Sequence, residues 1–230
     1  MNISVALTTY NRYDSTAKVI ESFLDDPRVD EIICSDDAST DGSFIRLMTR
    51  FRNEDKVILS QQFKNRNMSY NKYTAVAKCK NPFVALVDSD NSFDNSYLDA
   101  FFELEGWDDD TIYCPDHARP SFDYREFSGM KFDKTKAKEF LGKAMFRCML
   151  NTCNFIVPQQ RYCITYEENP EIKAADTIWM NYLWLKAGYK LFVVPNMKYG
   201  HLQHEGSHFL EHCEENLAKA KEIENLILAL

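Results

Sequence analysis

Phe83-Val84-Ala85-Leu86-Val87-Asp88-Ser89-Asp90-Asn91 decides the fold. The first five residues form an unbroken apolar run, the pattern of a strand buried on both faces. An acid-rich turn follows at once. Buried strands of this kind belong to parallel sheets covered by helices on both sides.

Working back towards the N-terminus, the same unit recurs. Ile3 to Leu7 reads as a first strand, and Asp14 or Ser15 can cap a helix through about Leu24. Glu31 to Cys34 is a second apolar run, followed by Asp36-Asp37 and by a helix that Asp41 can cap, ending near Phe51. Lys56 to Leu59 is a short third strand, and Ser69 can cap a helix through about Lys78. Strand and helix thus alternate four times in about ninety residues, which predicts an α/β fold with a Rossmann-like, mostly parallel central sheet. Working forward, Thr111 to Cys114, Asn154 to Val157 and Lys190 to Val194 read as strands, the last stopped by Pro195. Ile172 to Ala187 reads as a helix with Gly188 at its C-terminal cap, and Phe209 to Leu228 as a charged amphipathic helix. No repeat or linker is evident. The expectation is a single domain, with residues 1–92 as a nucleotide-binding half, 93–208 as an acceptor and catalytic half, and 209–230 as a C-terminal helix.

Composition narrows the function. The 230 residues are 45% hydrophobic and 13% aromatic, enough for a sizeable core. A net charge of -8 argues against a duplex nucleic-acid binder. It leaves room for a nucleotide diphosphate, whose charge a metal ion can meet locally. The seven cysteines include no CxxC pair, so reduced thiols in a cytoplasmic setting are expected. The N-terminus has no signal-peptide pattern, and no apolar run approaches the ~20 residues of a membrane span. The tail Leu226-Ile227-Leu228-Ala229-Leu230 can pack on its own domain or dock peripherally at a membrane.

In open α/β sheets, ligands bind beyond the carboxyl ends of the strands. Those ends carry Thr8-Thr9-Tyr10-Asn11-Arg12, Asp36-Asp37-Ala38-Ser39-Thr40-Asp41-Gly42 and Asp88-Ser89-Asp90-Asn91. Carboxylates gathered there repel one another, and a divalent cation relieves the repulsion. Hard oxygen ligands suit Mg2+ or Mn2+, which bind through one or two carboxylates plus substrate phosphates. One carboxylate of Asp88-Ser89-Asp90 can ligate the metal while the other holds a ribose hydroxyl or the metal's water. A carboxylate of the Asp36-Asp37 pair can accept the imide hydrogen of uracil. Each motif also has a plain structural reading: a solvated turn for Asp-x-Asp, a helix cap for Asp41.

In this order the segments resemble family 2 glycosyltransferases of the GT-A fold. The resemblance rests on Leu7 to Arg12, Asp36 to Ser43, Leu86 to Asn91 and, more loosely, Ala174-Ala175-Asp176-Thr177 continuing to Lys186-Ala187-Gly188-Tyr189. It implies that Thr8, Tyr10 and Arg12 line the nucleotide pocket and that Asp37 binds the base edge. It implies further that Asp88 lies near the ribose or the metal, that Ser89 belongs to the nucleotide-binding set, and that Asp90 ligates the metal beside the diphosphate. Asp176 would be the catalytic base and Asn71 a diphosphate contact, with Arg66 or Lys72 reaching phosphate. His201 would complete the metal site, with His204 a weaker candidate. His208 and His212 have the spacing of a helical zinc pair but read better as a solvated face. Two positions depart from the family pattern: Ala175 stands where an acid often precedes the base, and Asn91 where a further aspartate is common. The resemblance implies an inverting transfer from a nucleoside-diphosphate sugar, with a UDP-sugar expected, to a glycan, lipid-linked sugar or protein acceptor. Rival readings are a nucleotidyltransferase, disfavoured because no glycine-rich basic loop follows the first strand, an aspartate-nucleophile hydrolase, and a non-catalytic nucleotide-sugar binding protein.

Overall fold

A computed structural model describes residues 1–172, 175–202 and 213–230 of the chain. The N-terminal half alternates as expected: β1 (Ile3–Thr9), α1 (Tyr13–Leu24), β2 (Val29–Asp36), α2 (Ser43–Arg50), β3 (Val57–Gln61), α3 (Met68–Ala77) and β4 (Phe83–Asp88). There follow α4 (Asn95–Phe102), β5 (Thr111–Arg119), β6 (Phe122–Asp123), β7 (Lys131–Phe132), α5 (Lys134–Phe140), α6 (Ala144–Leu150), β8 (Phe155–Pro158), α7 (Gln159–Thr165), α8 (Asp176–Lys186), β9 (Lys190–Gly200) and α9 (Cys213–Ala229).

Among the described residues one mixed sheet runs in the order β3-β2-β1-β4-β8-β5-β9-β7, with β6 beside β5. β1 lies parallel between β2 and β4, and this trio carries the apolar runs that defined the fold. β8 is antiparallel and enters between β4 and β5, so the sheet is parallel only in the main. Alternate residues of each strand feed opposite layers. Val5, Leu7, Ala85 and Val87 pack with α1 and α4, while Ala6, Val84 and Leu86 pack with α3, α6 and α8. Ile223 and Ile227 of α9 join the second layer, whereas Leu226 and Leu228 are exposed. No helix among the described residues is long and apolar enough to cross a membrane.

Several local expectations shift. α3 is capped by Asn67, whose side chain accepts the Tyr70 N–H at 2.9 Å, rather than by Ser69. α1 begins at Tyr13, so Asp14 is a first-turn acid and not the cap. Asp41 does serve the start of α2, accepting from the Ser43 N–H at 2.9 Å. α8 starts at Asp176, later than the apolar pattern suggested. β9 does not stop at Pro195. The Asp116 carboxylate on β5 accepts the Asn196 N–H at 2.9 Å, where the β5–β9 register shifts, and the strand passes the proline to reach Gly200. The pattern missed α4 to α7 because the short helices there lack long runs of a single period.

Candidate active site

The C-terminal ends of β1, β2 and β4 lie side by side, with Thr8 opposite both Ser35 and Asp88. The three loops that leave them are tied together. Asn11, at φ +52, offers its side-chain oxygen to the Thr40 N–H at 2.8 Å, and its own N–H donates to Ser39 Oγ at 2.8 Å. Asp36 accepts from the Ser39 N–H at 2.8 Å and from Gln61 at 3.0 Å, which makes it a scaffold for the turn. Its neighbour Asp37 is also buried, and accepts the N–H groups of Arg66 at 3.0 Å and Asn67 at 3.3 Å. Burial raises the Asp37 carboxyl above its ordinary value, against the pull of those two donors.

Asp90 is ion-paired with Arg12 at the end of β1. Asp88 is held on three sides. Its N–H donates to Asn154 Oδ1 at 2.8 Å, the Asn154 amide returns to Asp88 Oδ2 at 3.4 Å, and Lys72 Nζ stands 3.2 Å from Asp88 Oδ1. Burial raises the Asp88 carboxyl; Lys72 opposes the shift, while Asp90 and Asp176 add to it. Asp176, in the first turn of α8 and 6% exposed, reaches the same ammonium: Lys72 Nζ lies 2.9 Å from Asp176 Oδ2. Burial alone would lower the Lys72 ammonium, but the attraction of Asp176 and Asp88 prevails and holds it well above the ordinary lysine value.

The expected set therefore falls into distinct places. Asp88, Asp90 and Asp176 form one cluster, joined to Arg12 by Asp90 and to α3 by Lys72. Tyr10 is 43% exposed at the rim, and Ser89 is buried beneath the loop. Asn71 is buried, and its amide donates to the Ser35 carbonyl at 2.9 Å, supporting the end of β2. Its Oδ1 has no hydrogen-bond partner among the described residues. Lys72 points inward rather than toward open phosphate, because the buried Asp176 carboxylate and the half-buried Asp88 carboxylate hold it there. The Arg66 guanidinium stacks 3.5 Å from the Tyr70 ring centroid and pairs with Glu168 at 2.7 Å.

His201 follows β9. Its Nδ1 lies 2.8 Å from Ser121 Oγ, and its ring meets Phe122 edge-on at 5.1 Å. The acid-rich loop is pinned to it: Ser92 and Gly200 exchange backbone hydrogen bonds of 2.9 and 2.8 Å, and Asn91 Oδ1 accepts the Leu202 N–H at 3.2 Å. His204, His208 and His212 lie outside the described residues. Among the described residues no group of three or more His, Cys, Asp or Glu side chains is placed to hold a metal together. The oxygen donors that are present, Asp88 and Asp90, suit a hard cation that takes one or two carboxylates and fills its shell with phosphate oxygens and water.

Sequence reasoning aimed Lys72 at phosphate rather than at Asp88 and Asp176, and it missed Asn154 as part of the site. Lys72 had a signal: with Ala75 and Val76 it lies on one stripe of α3, all buried. A lysine on an apolar stripe needs a partner in the interior. Asn154 had none beyond its place before a strand.

The sequence matches the profile of Glycosyl transferase family 2 over residues 4–159. Among solved structures, S. aureus TarS 1-349 aligns with a TM-score of 0.71 and 18% identity over 99% of this chain and 65% of that one. The same protein in complex with UDP-GlcNAc gives 0.73 and 18% over 100% and 71%. A longer S. aureus TarS structure gives 0.67 and 15% over 97% and 42%. At such identities the likeness is one of fold, and the chain spans 65% of the first of these structures and 42% of the last. The search of curated proteins found no match.

Proposed function

The chain belongs to glycosyl transferase family 2, and from that premise we propose that it transfers a sugar from a nucleoside diphosphate, a UDP sugar, to an acceptor hydroxyl. The observation that carries the reading is the cluster at the end of β4. Asp176, supplied by a distant helix, shares one ammonium with Asp88, and Asp90 lies two residues further on. The TarS structures with UDP and UDP-GlcNAc support the choice of nucleotide.

In the proposed reaction Asp176 takes the proton of the acceptor hydroxyl. The hydroxyl oxygen supplies the electron pair for the new bond to the anomeric carbon. The bond from that carbon to the diphosphate oxygen breaks, and its electrons leave with the diphosphate. Attack from the face opposite the leaving group inverts the anomeric configuration. Asp37 receives the uracil imide N–H, Tyr10 covers the base, and Asp88 faces the ribose, with the buried Ser89 shaping the turn behind it. Arg12 turns from Asp90 to the diphosphate. Asp90, with His201 through Nε2, would hold Mg2+ or Mn2+, which when bound offsets charge on the departing diphosphate. The acceptor, a glycan, lipid-linked sugar or protein, meets the side built from residues 94–170. A cytoplasmic setting, with peripheral contact at a membrane for lipid-linked acceptors, fits the free thiols.

The deciding experiment is thermal stability against UDP, GDP, ADP and CDP, with and without Mn2+. A ligand that binds only the native state raises Tm by mass action. Stabilisation by UDP that depends on the metal is the expected result. No shift with any nucleotide in the presence of Mn2+ would overturn the reading.

A further inference from the structure

Lys72 presents an unusual arrangement. It sits on the buried stripe of α3, it is 5% exposed, and its side chain runs into the interior. An ammonium so placed survives only where carboxylates compensate it. Both of its partners come from other elements: Asp88 from the end of β4 at 3.2 Å, and Asp176 from the start of α8 at 2.9 Å. The N-terminus of α8 has no side-chain cap bond of its own. Asp176 and Asp88 also repel each other across that ammonium.

We propose that Lys72 is a positioning residue for the transfer reaction: its ammonium ties the start of α8 to the end of β4 and holds Asp176 with Oδ2 turned inward and Oδ1 toward the acceptor hydroxyl. The inference rests on the reading of Asp176 as the base. Lys72 neither gains nor loses a proton in the reaction and touches no reacting atom. It sets the base in place before donor or metal arrives, because the cation is part of the chain. A metal at Asp90 could not do the same work, since it would come and go with the diphosphate.

The test compares Lys72→Met, which keeps the length of the chain without its charge, with Lys72→Arg and with Asp176→Asn. Turnover is read as UDP release from UDP-GlcNAc, UDP-glucose and UDP-galactose, with water as acceptor. UDP affinity is read by calorimetry. K72M should lose about 100-fold in kcat, the scale of a misplaced catalytic group, while KM and UDP affinity stay within about threefold. Its crystal structure should show the Asp176 carboxylate displaced by about 1 Å or more. A merely structural lysine would affect binding and turnover together. An unmoved Asp176, or a kcat for K72M close to that of the wild type, overturns the proposal. If K72M fails to fold, K72R decides. Its forked guanidinium cannot put one nitrogen between both carboxylates, so kcat should fall about tenfold with UDP binding kept, and an unchanged kcat overturns the proposal. The Asp176→Asn control separates the two levels. Full activity in D176N, or no release from any donor by the wild type, removes the base reading and this inference with it. An inactive D176N beside an active K72M removes Lys72 alone.

Discussion

Arg12 and Asp90, 78 positions apart in the chain, are ion-paired across the carboxyl ends of β1 and β4. The pair occupies the carboxylate assigned to the metal with the guanidinium assigned to the diphosphate. Donor and metal would thus exchange partners with a contact that already exists.

Removing the guanidinium should therefore have opposite effects on the two ligands. Arg12→Ala should tighten Mn2+ binding in the absence of nucleotide by up to about fivefold, the worth of a partly exposed ion pair. It should weaken UDP binding by roughly tenfold through loss of a charge-assisted hydrogen bond. Mn2+ titration followed by electron paramagnetic resonance, with calorimetry for UDP, reads both. Weaker Mn2+ binding in R12A would show that Arg12 does not compete for Asp90.

Asp176→Asn keeps the shape of the side chain and removes its basicity. Transfer should fall by about 10²–10⁴, the usual contribution of a general base. UDP affinity should change little, because the proposed role begins only when the acceptor arrives. Loss of UDP binding in D176N would move Asp176 from the acceptor side of the site to the nucleotide side.

The raised Asp37 carboxyl makes a pH prediction. If its ionised form receives the uracil N–H, uridine binding should weaken on acidification, starting above the ordinary carboxylate range. Uridine is the probe because it carries no phosphate to titrate in that range. Asp37→Ala should lose about tenfold in uridine affinity and flatten the profile. The stability sign follows from linkage. The fold disfavours the charged form, so the contribution of Asp37 to stability is full below the unfolded value and is lost as pH rises through the folded one. A uridine profile that stays flat down to pH 4 in the wild type would remove Asp37 from the base site.

Gly200 packs closely against Ser92. A Cβ there would strike Ser92 Oγ, in the contact that joins the acid-rich loop to β9. Ser92 is exposed and its hydroxyl can rotate away, so Gly200→Ala should cost about 0.5–1.5 kcal/mol, the scale of a displaced rotamer, or a few degrees in Tm. Adding Ser92→Gly removes the obstructing side chain and should recover most of that loss. Thermal unfolding of the single and double variants measures this, and equal Tm values for the two would place the strain elsewhere.

The βαβα order of the first ninety residues was legible because its causes are local. Strands buried on both faces must be apolar without interruption, as Phe83 to Val87 are, and the turns beyond them must carry polar residues. The rule that ligands gather at carboxyl ends then marked Asp37, Asp88 and Asp90 as candidates, and these acids do lie at or just beyond the ends of β2 and β4. What failed locally was strand length and capping. Asn67 outcompeted Ser69 as a cap by adopting φ +132, and β9 crossed Pro195 because Asp116 accepted the Asn196 N–H from 80 positions away.

The sequence by itself determined the layers, the alternation and the edge of the sheet at which the acids collect, since hydrophobic period and turn chemistry act between near neighbours. Only the tertiary structure decided which cation meets which acid: Arg12 with Asp90, and Lys72 between Asp88 and Asp176. Those pairings depend on where distant segments lie after packing, and charge attraction between them has no period along the chain that a sequence could display.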